Sequence, residues 1–171
     1  AKGVAGGLLA AGTAQSLNLT ENVTTDAALT NSTVNASANV SVIAQDTHNI
    51  SGTATGFSGA AFASGGLTKI DTKLTNTTKA QITASTVTAA DILLHAVTGI
   101  TKNTKATASS GALGGSANDV SDNTTVTNKT YAVAGTGSNL TAADTVTISA
   151  VTDNHYKGYA TAIAGAIVAK G

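Results

Sequence analysis

The sequence predicts an all-β repeat fold, a β-solenoid in which one unit of chain is stacked on itself. Three observations predict it: a period of 53 residues, an alternation of apolar and polar residues inside each unit, and a composition poor in what builds a helix or a thick core. VNASANVSVIA begins at Val34, VTAADILLHA at Val87 and LTAADTVTISA at Leu140, each 53 residues after the one before. AGGLLAAG ends at Gly12 and AGAIVAKG ends at Gly171, three periods later. A period of this length is the mark of a repeat architecture. The copies divide the single domain 1–171 into units at about 5–57, 58–109 and 110–163, with the start of a fourth at 164–171.

Composition narrows the interior. Among 171 residues are 33 Ala, 31 Thr, 18 Gly and 14 Ser, with 3% aromatics and no Trp, Met, Cys or Pro. A chain short of Leu, Phe and Met must bury small and β-branched side chains along a narrow core, the geometry of a solenoid. One Glu and no Arg leave little to favour a helix, while Thr and Val favour strands.

Each unit then reads in the same order. A Gly/Ala-rich strand comes first (Val4 to Gly12, Ser58 to Gly66, Ser110 to Ala117), where small side chains permit a tight turn or a close approach. A Thr- and Asn-rich stretch leads to a short strand (Ala27 to Thr30, Ala80 to Ala84, Tyr131 to Gly135). The alternating strand closes the unit: Val34, Ala36, Ala38, Val40 and Val42 take one face, and Asn35, Ser37, Asn39 and Ser41 the other. Strands of five or six residues are expected between turns at Asp46 to Asn49, Thr98 to Asn103 and Thr152 to Asn154. Two coils of about 26 residues, or three of about 18, would fill a period, the larger coil being favoured, and give a rod of about 30 to 45 Å. The alternative fold is a β-sandwich, pilin-like subunit.

The units resemble those of filamentous-haemagglutinin-like adhesins, the repetitive passenger regions of autotransporter and two-partner secretion systems. The resemblance rests on AGGLLAAG, a polar stretch and then STVNASANVSVIA, and on STVTAADILLHA and SNLTAADTVTISA in the later copies. It implies a right-handed parallel β-helix displayed outside the cell, although the Asn ladders usual at the turns of such helices are not evident.

Chemistry is sparse. Nine Lys balance nine acids, which leaves no electrostatic footprint for nucleic acid, and the apolar runs near Val4 and Ile163 are too short and Gly-broken for a transmembrane segment. The chain opens without Met and reads as a segment of something longer, with no capping unit at either end. Neither a metal nor a cofactor is expected. His48, His95 and His155 lie off the period, and Asp91 and Asp144 align with each other but with Ala38 in the first unit, so turn capping is favoured over calcium. Glu21 lacks a carboxylate partner for glycosidase chemistry, GTGSN at Gly135 is a turn rather than a phosphate loop, and no catalytic motif is present. Ice binding through Thr145 and Thr147 is disfavoured, because the ranks of Thr are not sustained. One residue-level signal stands out. Ten of thirteen Asn lie in N-x-Ser/Thr sequons: Asn18, Asn22, Asn31, Asn35, Asn39, Asn49, Asn76, Asn123, Asn128 and Asn139. Roughly three would follow from composition, so glycosylation is a candidate modification.

The expected function is non-enzymatic: a structural segment of an extracellular, cell-surface fibrous adhesin or stalk. Its expected partners are neighbouring repeats or copies of the same protein, and host or cell-surface glycans or proteins. The alternative is a subunit of a self-assembling filament or pilus, in which Val4 to Ala11 or Tyr159 to Ala169 is donated to a neighbour.

Overall fold

The computed structural model describes residues 1–7 and 10–167. Two residues of the first Gly/Ala-rich strand, at 8 and 9, and the last four of the expected fourth unit, at 168–171, lie outside the described residues. Eight strands follow one another: β1 (Lys2–Gly7), β2 (Ala10–Thr30), β3 (Thr33–Asn35), β4 (Val40–Ala60), β5 (Ala63–Thr83), β6 (Thr86–Ala112), β7 (Gly115–Ala134) and β8 (Asn139–Ala166). Among the described residues there is no helix. The chain alternates between two sheets. One holds β1, β3, β4, β6 and β8, the other β2, β5 and β7.

Every pairing is parallel and joins residues about one period apart. Ala10 faces Ala63, Thr33 faces Thr86, Val40 faces Ile92, and Ile92 faces Val146. The fold is therefore all-β, with parallel strands stacked in two sheets, consistent with a parallel β-solenoid and without the antiparallel pairing of a β-sandwich.

This register corrects the expected coil. Among the described residues no strand pairs with another inside its own period, so one turn of chain takes the whole 53 residues rather than 26 or 18. The expected turns at Asp46 to Asn49, Thr98 to Asn103 and Thr152 to Asn154 lie inside β4, β6 and β8. Strands of five or six residues give way to strands of 20 to 28 in the main ranks. At about 3.3 Å per residue and 4.8 Å between strands, the stack is roughly 70 Å wide and only about 15 Å along its axis, a broad slab rather than a 30 to 45 Å rod. Every second polar residue of these stretches, His48, Thr98 and Lys102 among them, points between the sheets and finds a partner there, while its neighbours face outward, as an extended strand requires.

The true turns stand at the two narrow ends. At one, Asn31, Ala84 and Gly137 adopt φ of 49°, 50° and 75°, 53 residues apart, and each is followed by a serine. The Ser85 hydroxyl donates to Thr83 O at 2.8 Å and accepts the Ser32 amide at 3.1 Å, which joins successive turns. The positive φ favours glycine or asparagine. Gly137→Ala would bring a Cβ to 3.4 Å from Ala84 Cα. It is expected to cost about 1 to 2 kcal/mol, read as a lower urea midpoint. At the other end, Gly114 and Gly115 both donate their amides to Phe62 O, and a Cβ on Gly114 would lie 2.5 Å from that oxygen.

The apolar core sits near the serine turns: Ala80, Ile82, Val87, Ile92, Leu94 and Ala96 are buried, with Val42 and Leu140 packed on them. A smaller cluster of Ala54, Ile70 and Ala106 lies farther along. Small residues on both sheets let the slab stay thin, as the composition requires.

Candidate functional surfaces

The sequons separate by the strand face that carries them. Asn18, Asn22, Asn31, Asn35, Asn39, Asn49, Asn123 and Asn139 are exposed. Asn76 is 0% exposed, and its Nδ2 donates to Thr78 Oγ1 and to Asn128 Oδ1, each at 3.2 Å. Asn76 and Asn128 are thus rungs of an internal ladder, Asn76 fully buried and Asn128 half-buried, and differ in this from the eight exposed candidates. Alternation places them inside: they share β5 and β7 faces with Thr78 and Thr130.

Between the two cores the interior mixes the buried Leu74 and Ile100 with polar side chains. Thr98 Oγ1 donates to Thr78 Oγ1 at 2.7 Å and lies 3.0 Å from Thr130 Oγ1, which is 2.9 Å from Thr152 Oγ1. These hydroxyls form a zigzag that crosses the sheets and climbs the stack. Beyond it, Lys102 Nζ is 2.7 Å from Asp122 Oδ1, and Thr104 Oγ1 donates to Asp122 Oδ2 at 2.6 Å. Both charged side chains are buried, so the pair ties β6 to β7.

In the first coil the corresponding tie is His48. Its Nδ1 is 2.9 Å from Glu21 Oε1 on β2, and its Nε2 is 2.6 Å from Asp46 Oδ2 on its own β4. Burial alone would lower the His48 pKa. Hydrogen bonding to Glu21 and Asp46, together with the attraction of their charges, outweighs that and holds it above 6.5. The partner of the Glu21 carboxylate is thus a histidine clamp and not a second catalytic acid. A raised folded pKa adds stability that is complete below 6.5, the unfolded value, and is lost as pH rises through the folded value. The urea midpoint is therefore expected to fall as pH rises above about 6.5, and His48→Gln is expected to flatten that slope. Parallel slopes in the two proteins would refute the clamp.

The remaining candidates stay apart. His95 Nδ1 contacts Ser149 Oγ at 2.6 Å, and His155 Nδ1 lies 3.2 Å from Asp153 Oδ1 on the exposed face. Asp91 does not stack on Asp144. A register shift after Ala89 sets Asp91 opposite Thr145, whose amide and hydroxyl both donate to Asp91 Oδ1. That is a capping role at a bulge. The Thr147 rank reads Ser41, Leu93, Thr147, so no flat threonine array forms there. On the outer face of β5, the Lys69 ammonium and the Asn123 amide hold the Asp71 carboxyl below its usual range. Among the described residues no group of three His, Cys, Asp or Glu could hold a metal, and no helix is long and apolar enough to cross a membrane.

Sequence reasoning missed the internal Asn76–Asn128 ladder, the His48 clamp and the Lys102–Asp122 pair. Asn76 and Asn128 do lie about one period apart, but the His48 rank continues as Ile100 and Asn154 and the Lys102 rank holds Ile50 and Tyr156, so no periodic signal announces the clamp or the ion pair. Scans against protein-family models, curated proteins and solved structures return no match to this chain.

Proposed function

We propose that this chain is a structural, non-catalytic segment of an extracellular fibrous adhesin or cell-surface stalk, its coils wound as a right-handed parallel β-helix of about three 53-residue repeats. The observation that carries the reading is the register: each residue pairs with its counterpart about one period along, so the object grows in one dimension by adding coils. Reach and stiffness then scale with the number of repeats, and the broad faces offer the same side chains again and again for weak, multivalent contact with surface glycans or proteins. The eight outward sequon asparagines suit a sugar coat that would solvate faces carrying few charges.

Fibre diffraction and electron microscopy of the native material test this. Continuous ribbons about 70 Å wide with a 4.8 Å axial repeat are expected, and isolated globular particles would overturn the reading. Intact mass tests the sugars separately, since a bare 16.6 kDa per segment would remove them. A second reading, a filament of separate subunits joined by strand pairing, draws on the edge of β8. Its 28 residues pair only with β6 among the described residues. A regular subunit boundary along the ribbon would favour it.

A further inference from the structure

Only one protonation state of the His48 ring suits its surroundings. Both ring nitrogens face a carboxylate, Nδ1 that of Glu21 at 2.9 Å and Nε2 that of Asp46 at 2.6 Å. The imidazolium donates from both nitrogens, whereas a neutral ring donates from one and turns a lone pair toward the other carboxylate. The ring is 3% exposed, so water does not step in to relieve that contact. One other charged side chain points into the interior beside it. On β6 the rank-mate of His48 is Ile100, and Lys102, the next inward residue, is held by Asp122. On β5 the rank-mate of Glu21 is Leu74, flanked on the inward face by Thr72 and Asn76. β1 pairs with β4 only beyond Ala54 and stays clear of the ring.

The two carboxylates differ in their freedom to leave. Asp46 is 13% exposed, sits two residues from His48 on the same strand and makes the shorter contact. The Glu21 side chain is 44% exposed. It stands on β2, which pairs only with β5 among the described residues, so one edge of that strand is open. Glu21 also lines a groove of about 280 Å³ together with Leu19, Ile50 and Lys73. Lys73 is exposed on the outer face of β5 and has no carboxylate within ion-pair distance among the described residues. A second cation thus stands at the groove into which Glu21 can turn. When His48 loses a proton, the remaining one stays on Nε2 with Asp46, and Glu21 is the carboxylate that departs.

We propose that Glu21 is a pH-driven latch, which ties β2 to β4 through His48 while the ring is protonated and swings across the groove to Lys73 when the ring is neutral. The raised His48 pKa places the handover above 6.5. On the alkaline side β2 and β4 lose the ionic contact that joins them, and Leu19 and Ile50 at the groove open to water. The tie between β6 and β7 is a lysine–carboxylate pair with no histidine in it, so it stays closed. The first coil therefore loosens while the later coils hold. The device belongs to the fold and is independent of what the stack serves.

Nitrogen NMR of the histidine rings in the 171-residue chain follows the latch directly, with His48→Gln identifying the His48 signals. The ring is expected to titrate above 6.5 and to carry its remaining proton on Nε2. A neutral ring protonated on Nδ1 would overturn the proposal, because Glu21 would then keep its hydrogen bond. Lys73→Met removes the receiving ammonium and is expected to raise the His48 midpoint by roughly 0.2 to 0.7 in pH, the size of an exposed ion pair. Loss of a nearby positive charge acts in the same direction through space alone, so the substitution is repeated on Glu21→Gln, whose uncharged amide gains nothing from Lys73. The Glu21→Gln chain is itself expected to titrate about one pH unit lower than the wild type. In that background the rise caused by Lys73→Met is expected to shrink at least about threefold. An equal rise in both backgrounds would mean that Glu21 does not move to Lys73, and the latch would fall.

Discussion

Asp122→Ala is expected to destabilise the fold by about 3 to 5 kcal/mol, the largest effect of any single polar change in this chain. The Asp122 and Lys102 side chains are 4% and 3% exposed, and the carboxylate takes Lys102 Nζ on one oxygen and Thr104 Oγ1 on the other. Removal of the carboxylate leaves an ammonium between two sheets with no counter-charge and no route to water. The neighbouring coil is shaped for the pair: a Cβ on Gly158 would sit 2.5 Å from Asp122 Oδ2 and 3.4 Å from Lys102 Nζ. Lys102→Met combined with Asp122→Leu is expected to recover most of the loss, since it is the unpaired charge and not the missing bond that costs so much. Urea denaturation of the three proteins decides the matter. A loss below about 1 kcal/mol for Asp122→Ala would mean that the ammonium reaches solvent.

The same pair explains why the fold was only partly legible. The period was readable because each rank repeats residue classes: Ala44, Ala96 and Ala150, or Ala54, Ala106 and Ala160, sit one above another. Alternation was readable for the same reason, and it placed Val34, Ala36, Val40 and Val42 against the core, while Ala38 of the same expected face is exposed in the break between β3 and β4. The coil length was misread because Thr, Asn and Asp have two uses here. In an ordinary chain they mark turns. In a slab this thin they also fill the space between sheets, where Thr78, Thr98, Thr130 and Thr152 satisfy one another across the stack. A single sequence does not distinguish these uses, since both place short polar residues in a β-rich context.

One local signal could have told them apart. Asn31–Ser32, Ala84–Ser85 and Gly137–Ser138 recur at the full period, and Asn and Gly are the residues that tolerate a left-handed backbone. Asp46, Thr98 and Thr152 recur too, but that rank holds neither Asn nor Gly, and the neighbouring Gly99 keeps an extended backbone. The sequon count carried the same ambiguity. Asn76 and Asn128 match the motif as well as Asn123 does, and only the strand face decides that the first two are ladder rungs.

Leu94→Ala is expected to cost about 2 to 5 kcal/mol, and its two rank-mates turn that figure into a test of the proposed function. Val42, Leu94 and Ile148 stack in one interior rank. Leu94 is 0% exposed in the middle coil, whereas Ile148, on the last described coil, is 46% exposed. Truncation of Leu94 therefore leaves a cavity between coils, with both the transfer and the void terms at work. For the 171-residue chain alone, Ile148→Ala is expected to cost less than about 1.5 kcal/mol, because that side chain remains partly in water. If the chain works as a continuous stack, a further coil covers Ile148 as β8 covers Leu94. In the native fibre the two substitutions should then become about equally costly, within roughly 1 kcal/mol. Thermal or denaturant scans of fibre and isolated segment, with both variants, would read the convergence. A difference that stays as large in the fibre as in the segment would mean that β8 keeps its open edge, and a growing stack would no longer be tenable.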